Sequence, residues 1–499
     1  MSQRSIIIIG AGLAGLAAGV YAQRNGYQAH VFEHAGGPGG VAVGWRRGAY
    51  FVDGGIHFLM GHKPDQPLHR VYEELGTGQP EMCVDMHDYG RYVDQRTGRS
   101  LTITPDLDRL IADWRSLSPA DVQPIEELVR VARAFADANA FDLGMGDPPE
   151  LAGRLAGLGQ LWGMRSVLRY FAGPTARPMA ERGQAIGDPW LREVYANLFY
   201  PQAPVWFVAM VLALLATGGM GLLRHGSTGF VQPIERRLGE LGGQITYGAT
   251  VEKILVAGGK AVGVRLASGG EHRAGAVISA ADGRSTLWDM LEGRYLDRKT
   301  AARYEQWSLV APMMMISFGV ARTFSDEPHL HAFSLAEPFD VGPQRVNTVV
   351  LRTFNYSDAF APEGKTVIQA TFDSDWDYWR VLREDPPAYD AEKRRVAAAV
   401  LARLERHYPG LSGQVEMTDV ATPFTTWRYT RNHRGAYMGW LPTPQQMMTM
   451  LPRTLPGLDR FAMAGQWVMP GGGVPTCLIS GRDAVRILCA QDGVRFRSV

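Results

Sequence analysis

Cysteine is scarce in this 499-residue chain: there are three, Cys83, Cys477 and Cys489. They are odd in number and far apart, which excludes a disulfide framework and a CxxC metal site and fits a reduced, cytoplasmic setting. Excess charge of one sign is also missing. The 51 Lys and Arg nearly cancel 50 Asp and Glu, leaving a formal charge of +1. No nucleic-acid partner is expected from such a balance. Repeats and low-complexity tracts are absent. The groupings His57/His62/His69 and His329/His331 have no acid or cysteine at a usual ligand spacing, so no metal is expected. "MSQRSIIIIGAGLAG" is broken by glycine too early to read as a signal peptide. Uncharged runs are equally rare, and Val205–Leu223 is the conspicuous one. Its length just matches a bilayer, but Gly218, Gly219 and Gly221 predict a helix of about 12–14 residues that stops inside the fold. A lipid-facing surface at the inner face of a membrane is the alternative left open.

What is present begins at Ser5. Ser5–Ile9 is a β-branched run suited to a buried parallel strand, followed at once by "GAGLAG" and an Ala-rich helical stretch to about Asn25. Gly10 permits a tight turn, Gly12 lets backbone approach a pyrophosphate, and Gly15 brings helix and strand together. Ala11, Leu13 and Ala14 complete the loop and first turn, whose free N–H groups face the phosphates. After Gly26, "YQAHVFE" reads as a second strand ending in Glu33, an acid placed to bond ribose hydroxyls. Strand, glycines, helix and acid together define a dinucleotide site. They do not choose between FAD and NAD(P), and no second motif of this kind follows.

"HAGGPGGVAVGWRRGAYFVDGGIHFLMG", directly after Glu33, resembles the FAD-dependent carotenoid desaturase and isomerase family, which includes phytoene desaturases, prolycopene isomerases and retinol saturases. Gly226–Leu266, Ala276–Thr286 and Ala421–Trp440 are similar to later segments of that family, and "AGQWVMPGGGVPTCLISGRDA" (Ala464–Ala484) to its closing signature. The resemblance implies FAD as cofactor. It implies contacts from Glu33, His34, Gly39, Gly40 and Val41, from Gly55, Ile56 and His57, and from the backbone of Val251. At the far end it implies Gly465, Gln466, Gly472, Gly473, Val474 and Pro475. Phe58 stands where this branch often has Trp, Val41 where many members have Arg, and Gln466 where Asp is commoner.

The closing signature also has a physical reading. An apolar strand ends near Ala464, a loop crosses over Gln466–Gly473, and Pro475 suits a first helical turn. With the pyrophosphate assigned to Gly10–Gly15, this second bare helix start suits the flavin ring, whose reduced form gains negative charge. The three glycines let a flat ring lie against backbone.

For chemistry, His57, Arg428 and Tyr437 are the catalytic candidates; each has a plain core or surface alternative, as do Tyr429 and Trp440. Consecutive methionines in Pro312–Ala321 read as core or as the lining of a long apolar tunnel. Asp373, Asp375 and Asp377, around Trp376 and Trp379, read as a solvated turn.

The expected fold is α/β: a discontinuous Rossmann-like FAD-binding domain (1–95, 225–295 and 455–499) and a mixed α+β substrate domain (96–224 and 296–454), in a flavin amine oxidase-like architecture. The expected activity is oxidoreduction at carbon–carbon bonds of an apolar polyene or isoprenoid. Desaturation by hydride transfer to flavin N5 is favoured, with oxygen or a quinone as electron acceptor. Cis–trans isomerisation, saturation, and oxidation of a polyketide, acyl or amine metabolite are alternatives, and a flavin-bearing binding protein is the non-enzymatic one. Substrate identity and oligomeric state are not encoded in any of these motifs.

Overall fold

Four consecutive isoleucines, Ile6–Ile9, can all be buried only if both faces of their strand are covered. In the computed structural model, which describes residues 4–139, 141, 146–152 and 165–499, they are. Arg4–Ile9 is the centre of a five-stranded sheet ordered Gln244–Thr246, Tyr27–Phe32, Arg4–Ile9, Ala276–Ser279, Phe461–Met463. Every neighbouring pair runs parallel. Ile6 and Ile8 pack into a helical layer formed by Leu13–Arg24, Gly226–Glu240 and Gly473–Gln491. Ile7 and Ile9 face a three-stranded antiparallel sheet, Val251–Ala257, Lys260–Leu266 and Glu271–Arg273.

Glycine sets the closeness of the helical layer. A Cβ at Gly481 would stand 2.3 Å from the Ala14 carbonyl oxygen, and one at Gly19 would stand 3.0 Å from Leu238. The terminal helix and the first helix therefore touch backbone to backbone.

A second, seven-stranded sheet is ordered Val415–Ala421, Met313–Val320, Thr366–Asp373, Gln344–Thr353, Leu330–Val341, Gly90–Asp94, Ser100–Ile103. Helix Pro386–Glu405, capped by Asp385, packs its apolar side on this sheet. A helical lobe containing Leu107–Leu117, Gln123–Asp137, Pro189–Ala196 and Val205–Ala216 forms a separate core.

One boundary needs correction. Gly90–Asp94, assigned by sequence to the cofactor domain that was to end at 95, pairs in parallel with Leu330–Val341 in the second sheet. The chain thus leaves the cofactor layer before Gly90. The alternation of "GRYVDQRTGRSLTI" is that of a hairpin, and it carries no mark of which sheet it will join.

The uncharged run forms a 12-residue helix, Val205–Ala216, with ten residues buried, ending at Thr217 before the left-handed Gly218. Among the described residues, no helix is long and apolar enough to cross a membrane.

Candidate active site

The first turn of the chain is built as its glycines require. Gly10 has φ +96°, and a Cβ at Gly15 would fall 1.9 Å from the Gly10 carbonyl oxygen, so only glycine fits there. Glu33 is almost fully buried, and its carboxylate accepts from the backbone N–H groups of Ala11 (2.6 Å) and Ala35 (2.7 Å). Burial raises its pKa, against the pull of those amides. Each carboxylate oxygen keeps lone-pair capacity for a ribose hydroxyl. Gly39 donates to the Ala11 carbonyl at 2.9 Å, placing Gly39 and Gly40, both at positive φ, beside Gly12.

His34 follows on this edge. Its Nδ1 pairs with the Thr250 hydroxyl at 2.7 Å and its Nε2 accepts from Arg431 Nε at 3.1 Å. Val251 is the next residue after Thr250, at the start of its strand. The same His34 nitrogen lies 3.1 Å from the Arg428 carbonyl, and the Arg428 guanidinium lies over the exposed ring of Tyr429. Arg428 is therefore corrected from catalytic candidate to a neighbour of the nucleotide edge. Trp440 is also removed from the cavity wall: it is buried, and its indole N–H donates to the Trp467 carbonyl at 3.0 Å.

The remaining site residues converge on a cavity of about 1200 Å³ between the two sheets and the helical lobe. Leu13 and Val41 border it from the nucleotide side, and Gly55, Ile56 and His57 from the segment that follows the hairpin of strands Gly44–Arg47 and Tyr50–Asp53. Gln466 and the run Gly471–Pro475 border it from the closing signature. Gly465, just before, has φ +99° and donates to Ser480 Oγ at 2.8 Å. Aromatic and aliphatic side chains of Val205–Ala216 (Trp206, Phe207, Met210, Val211 and Leu214) make the opposite wall, joined by Met313. Tyr437 lies there too, its hydroxyl 2.6 Å from that of Tyr200.

These residues fit FAD. Helices Leu13–Arg24 and Gly473–Gln491 each begin on a glycine, Gly12 or Gly472, with no capping side chain. Asp106, Asp188, Asp297, Asp375 and Asp385 cap their own helices, whereas Pro67–Leu75, Val205–Ala216 and Gly226–Glu240 also lack a side-chain cap; the two glycine starts stand out by their place at the site. The two bare starts leave N–H groups for a ligand at each end of one elongated site. Gly473 has nothing within 4 Å of a built Cβ, while one at Gly472 would strike the Met438 carbonyl at 2.5 Å.

The cavity is bordered by two polar groups that were not among the sequence-derived site candidates. Arg352, nearly dry, reaches Gln369 Oε1 (3.0 Å), the Ile56 carbonyl (3.3 Å) and the carboxylate of buried Asp53 (3.7 Å). Ser227 Oγ accepts from the Ile56 N–H at 2.6 Å. Both polar groups of the Ile56 backbone are thus fixed, and His57 is presented to the cavity by a rigid segment. Burial, then the charge of Arg352 and the nearby His329, hold His57 well below its usual pKa, so it is a neutral imidazole. The signal was visible: a lone Arg in the apolar strand "VVLRT" has to find a buried partner.

The second is Asp373. Assigned by sequence to a solvated turn, Asp373 stands exposed at the end of Thr366–Asp373 on the border of the cavity, where the neighbouring protein displaces part of its water and raises its carboxyl to about 6. Asp375 and Asp377 do belong to the turn: one caps a helix and the other pairs with Arg434 at 2.6 Å. His331 stacks on Phe333, and no cluster of His, Cys, Asp or Glu suited to a metal occurs among the described residues.

The family of flavin-containing amine oxidoreductases matches residues 13–489, and this chain belongs to it. It is 26% identical to the chloroplastic prolycopene isomerase of Arabidopsis thaliana, over 99% of this chain and 84% of that protein. It is equally 26% identical to the neurosporene-forming phytoene desaturase of Rhodobacter capsulatus, over 97% and 93%. In fold it is similar to an oxidoreductase of Methanosarcina mazei (TM-score 0.61, 17% identity, 97% of this chain and 100% of that one). It is also similar to the cyclohexylamine oxidase of Brevibacterium oxydans (TM-score 0.62, 14% identity, 98% and 100%). The protein is a flavin-dependent oxidoreductase that takes FAD, related in sequence to carotenoid desaturases and isomerases.

Proposed function

We propose that the protein acts on carbon–carbon bonds of an apolar polyene or isoprenoid, with desaturation as its reaction. The observation that carries this reading is the cavity. Its volume, about 1200 Å³, takes in the flavin-ring region bordered by Gly471–Pro475 together with the space beyond it. Its wall away from the glycines is built from Trp206, Phe207, Met210 and Leu214. Such a wall suits a long chain with few polar handles.

FAD supplies a two-electron acceptor or donor at the flavin ring. The protein's own residues do the rest. The uncapped start of Gly473–Gln491 would hold the ring with its N–H groups, the helical wall would exclude water, and neutral His57 offers a ring nitrogen that takes up no proton near neutral pH. Oxygen or a quinone is the proposed electron acceptor. Met448 and Met450, exposed yet bordering the cavity, support contact with the inner face of a membrane as the route for such a substrate in a cytoplasmic enzyme.

The test is anaerobic mixing of the FAD-loaded protein with phytoene. Loss of flavin colour together with a product two hydrogens lighter supports desaturation. A product of unchanged mass identifies an isomerase, and bleaching by amines but not by phytoene defeats the reading.

A further inference from the structure

Desaturation removes two hydrogens from neighbouring carbons, one with its bonding electrons and one without. The site therefore needs a base as well as an electron acceptor. His57 is poorly placed for that task. Burial, Arg352 and His329 all oppose a positive charge on its ring, and no carboxylate pairs with it among the described residues.

His329 is placed differently. It borders the same cavity, and neither of its ring nitrogens has a hydrogen-bond partner among the described residues. Its Nδ1 lies 3.8 Å from Asp88 Oδ1, and that oxygen is buried with no hydrogen-bond partner of its own. A buried acceptor left unmet is costly. Such contacts are often long before a ligand fills a site and tighten when it does. With Nδ1–H given to Asp88, the lone pair of the imidazole falls on Nε2, the nitrogen away from the acid. Burial, then the charge of Arg352, holds the His329 pKa down to about 4, so the ring is neutral and the lone pair free.

The contacts around the two residues fix their place. The His329 carbonyl accepts from the Thr353 N–H at 2.7 Å, and the next residue, Leu330, pairs with Arg352. Arg352 in turn reaches the Ile56 carbonyl at 3.3 Å, directly before His57. On the other side the rings of Phe58 and Tyr89 lie 5.9 Å apart, which brings Asp88 up to the segment that carries His57. His329 and Asp88 thus stand beside Gly55–His57, the stretch expected to meet the flavin.

We propose that His329 is the base of the desaturation and that Asp88 positions it. This rests on the desaturation reading. One substrate carbon loses a hydrogen with its bonding pair to the flavin, which is reduced by two electrons. The C–H bond of the neighbouring carbon then breaks, its electrons form the new C=C bond, and its proton goes to His329 Nε2. Loss of the first hydrogen leaves that C–H strongly acidic, so a weak neutral base is enough, and Asp88 faces the imidazolium that results. Reoxidation of the flavin by oxygen or a quinone consumes the proton and restores the neutral ring.

The test follows anaerobic bleaching of the FAD-loaded full chain by phytoene, with phytoene binding measured separately by tryptophan fluorescence. H329A is expected to bleach about 100-fold more slowly, with phytoene affinity and flavin content unchanged, and added imidazole should restore part of the rate. H329Q, an amide without a basic nitrogen, should be as slow and serves if H329A does not fold. D88N should show a smaller loss that imidazole does not repair. Wild-type rates in the His329 variants, a loss matched by weaker phytoene binding, or a slow H329A that imidazole leaves unchanged overturns the base alone. Failure of the wild type to bleach with phytoene overturns the desaturation reading and the base with it.

Discussion

Asp53 and Arg352, 299 positions apart, face each other where the hairpin Gly44–Asp53 meets the seven-stranded sheet, with 3.7 Å between carboxylate and guanidinium, both all but inaccessible to water. The pair ties strand Tyr50–Asp53 to the seven-stranded sheet. Gln369 completes it, donating to the Asp53 carbonyl at 3.0 Å and to Ser317 Oγ at 3.1 Å. Removing one partner leaves a buried charge without compensation. R352M is expected to destabilise the FAD-loaded protein by about 3–5 kcal/mol, measured by chemical denaturation. The double variant D53L/R352M should recover a substantial part. If R352M unfolds at the wild-type denaturant concentration, the pair is not the strut between the sheets.

The glycines of the two helix starts make a second case. Alanine at position 15 would need its Cβ where the Gly10 carbonyl oxygen stands, 1.9 Å away. Alanine at position 472 meets the Met438 carbonyl at 2.5 Å and an unfavourable φ of +57°. Both G15A and G472A should purify with little bound FAD, read as the ratio of flavin to protein absorbance. G36A has nothing within 4 Å of the added carbon and serves as the control that retains full flavin content.

Asp121 provides a pH test remote from the cavity. Its carboxylate accepts from the N–H groups of Gly187 (2.6 Å) and Asp188 (2.9 Å) and from Ser118 Oγ (2.8 Å). Those bonds, the Gly187 amide first, lower its pKa from 3.8. A depressed carboxyl stabilises the fold above its unfolded value and loses that contribution as pH falls through the folded one. D121A should cost about 3 kcal/mol at neutral pH, and the difference from wild type should shrink steadily in acid. A gap in denaturation midpoint that is constant with pH would disprove the assignment.

Asp373 has the opposite sign. Its folded pKa is raised from 3.8 to about 6, so the folded chain holds the proton more tightly than the unfolded one. Its contribution to stability is full below 3.8 and declines as pH rises through about 6. D373N should abolish that decline in the FAD-loaded protein without bound substrate. Urea titrations across this range check it, and parallel pH profiles for wild type and variant would refute it.

His57 is already neutral at physiological pH, because burial and Arg352 hold its pKa down. Turnover of the FAD-loaded enzyme should show no limb near pH 6.5 that H57N abolishes. H57N should change rate rather than shift the profile. A limb near that pH which vanishes in H57N would show that the imidazole titrates there.

What the sequence made legible follows from locality. Gly10–Gly15, Glu33 and the run Gly471–Pro475 act through backbone geometry within a few residues, and their spacing carries the information directly. The four isoleucines and the 12-residue helix Val205–Ala216 are legible for the same reason. Asp373, Tyr200 and Arg352 act through partners far along the chain. The spacing of "FDSDWD" is the same whether its first acid faces solvent or a cavity; pairing of Met313 with Asp373 decides that. Arg428 and Tyr437 sit nine positions apart yet lie in different places, one beside His34 and the other in the cavity wall, because helix Pro423–Thr430 stops between them at the left-handed Arg431.

The strand order of the five-stranded sheet also sets a timetable. Its central strand emerges from the ribosome first, but Phe461–Met463 and the helix Gly473–Gln491, which brings the second bare N-terminus, emerge more than 400 residues later. Until Met463 is out the sheet lacks an edge, and until Gly481 follows, the first helix lacks the neighbour that meets Ala14. The nascent chain can assemble the nucleotide half of the site but not the ring half. Complete capture of the cofactor therefore waits for the last of these segments, and the long incomplete interval is when exposed apolar strands most need protection from aggregation.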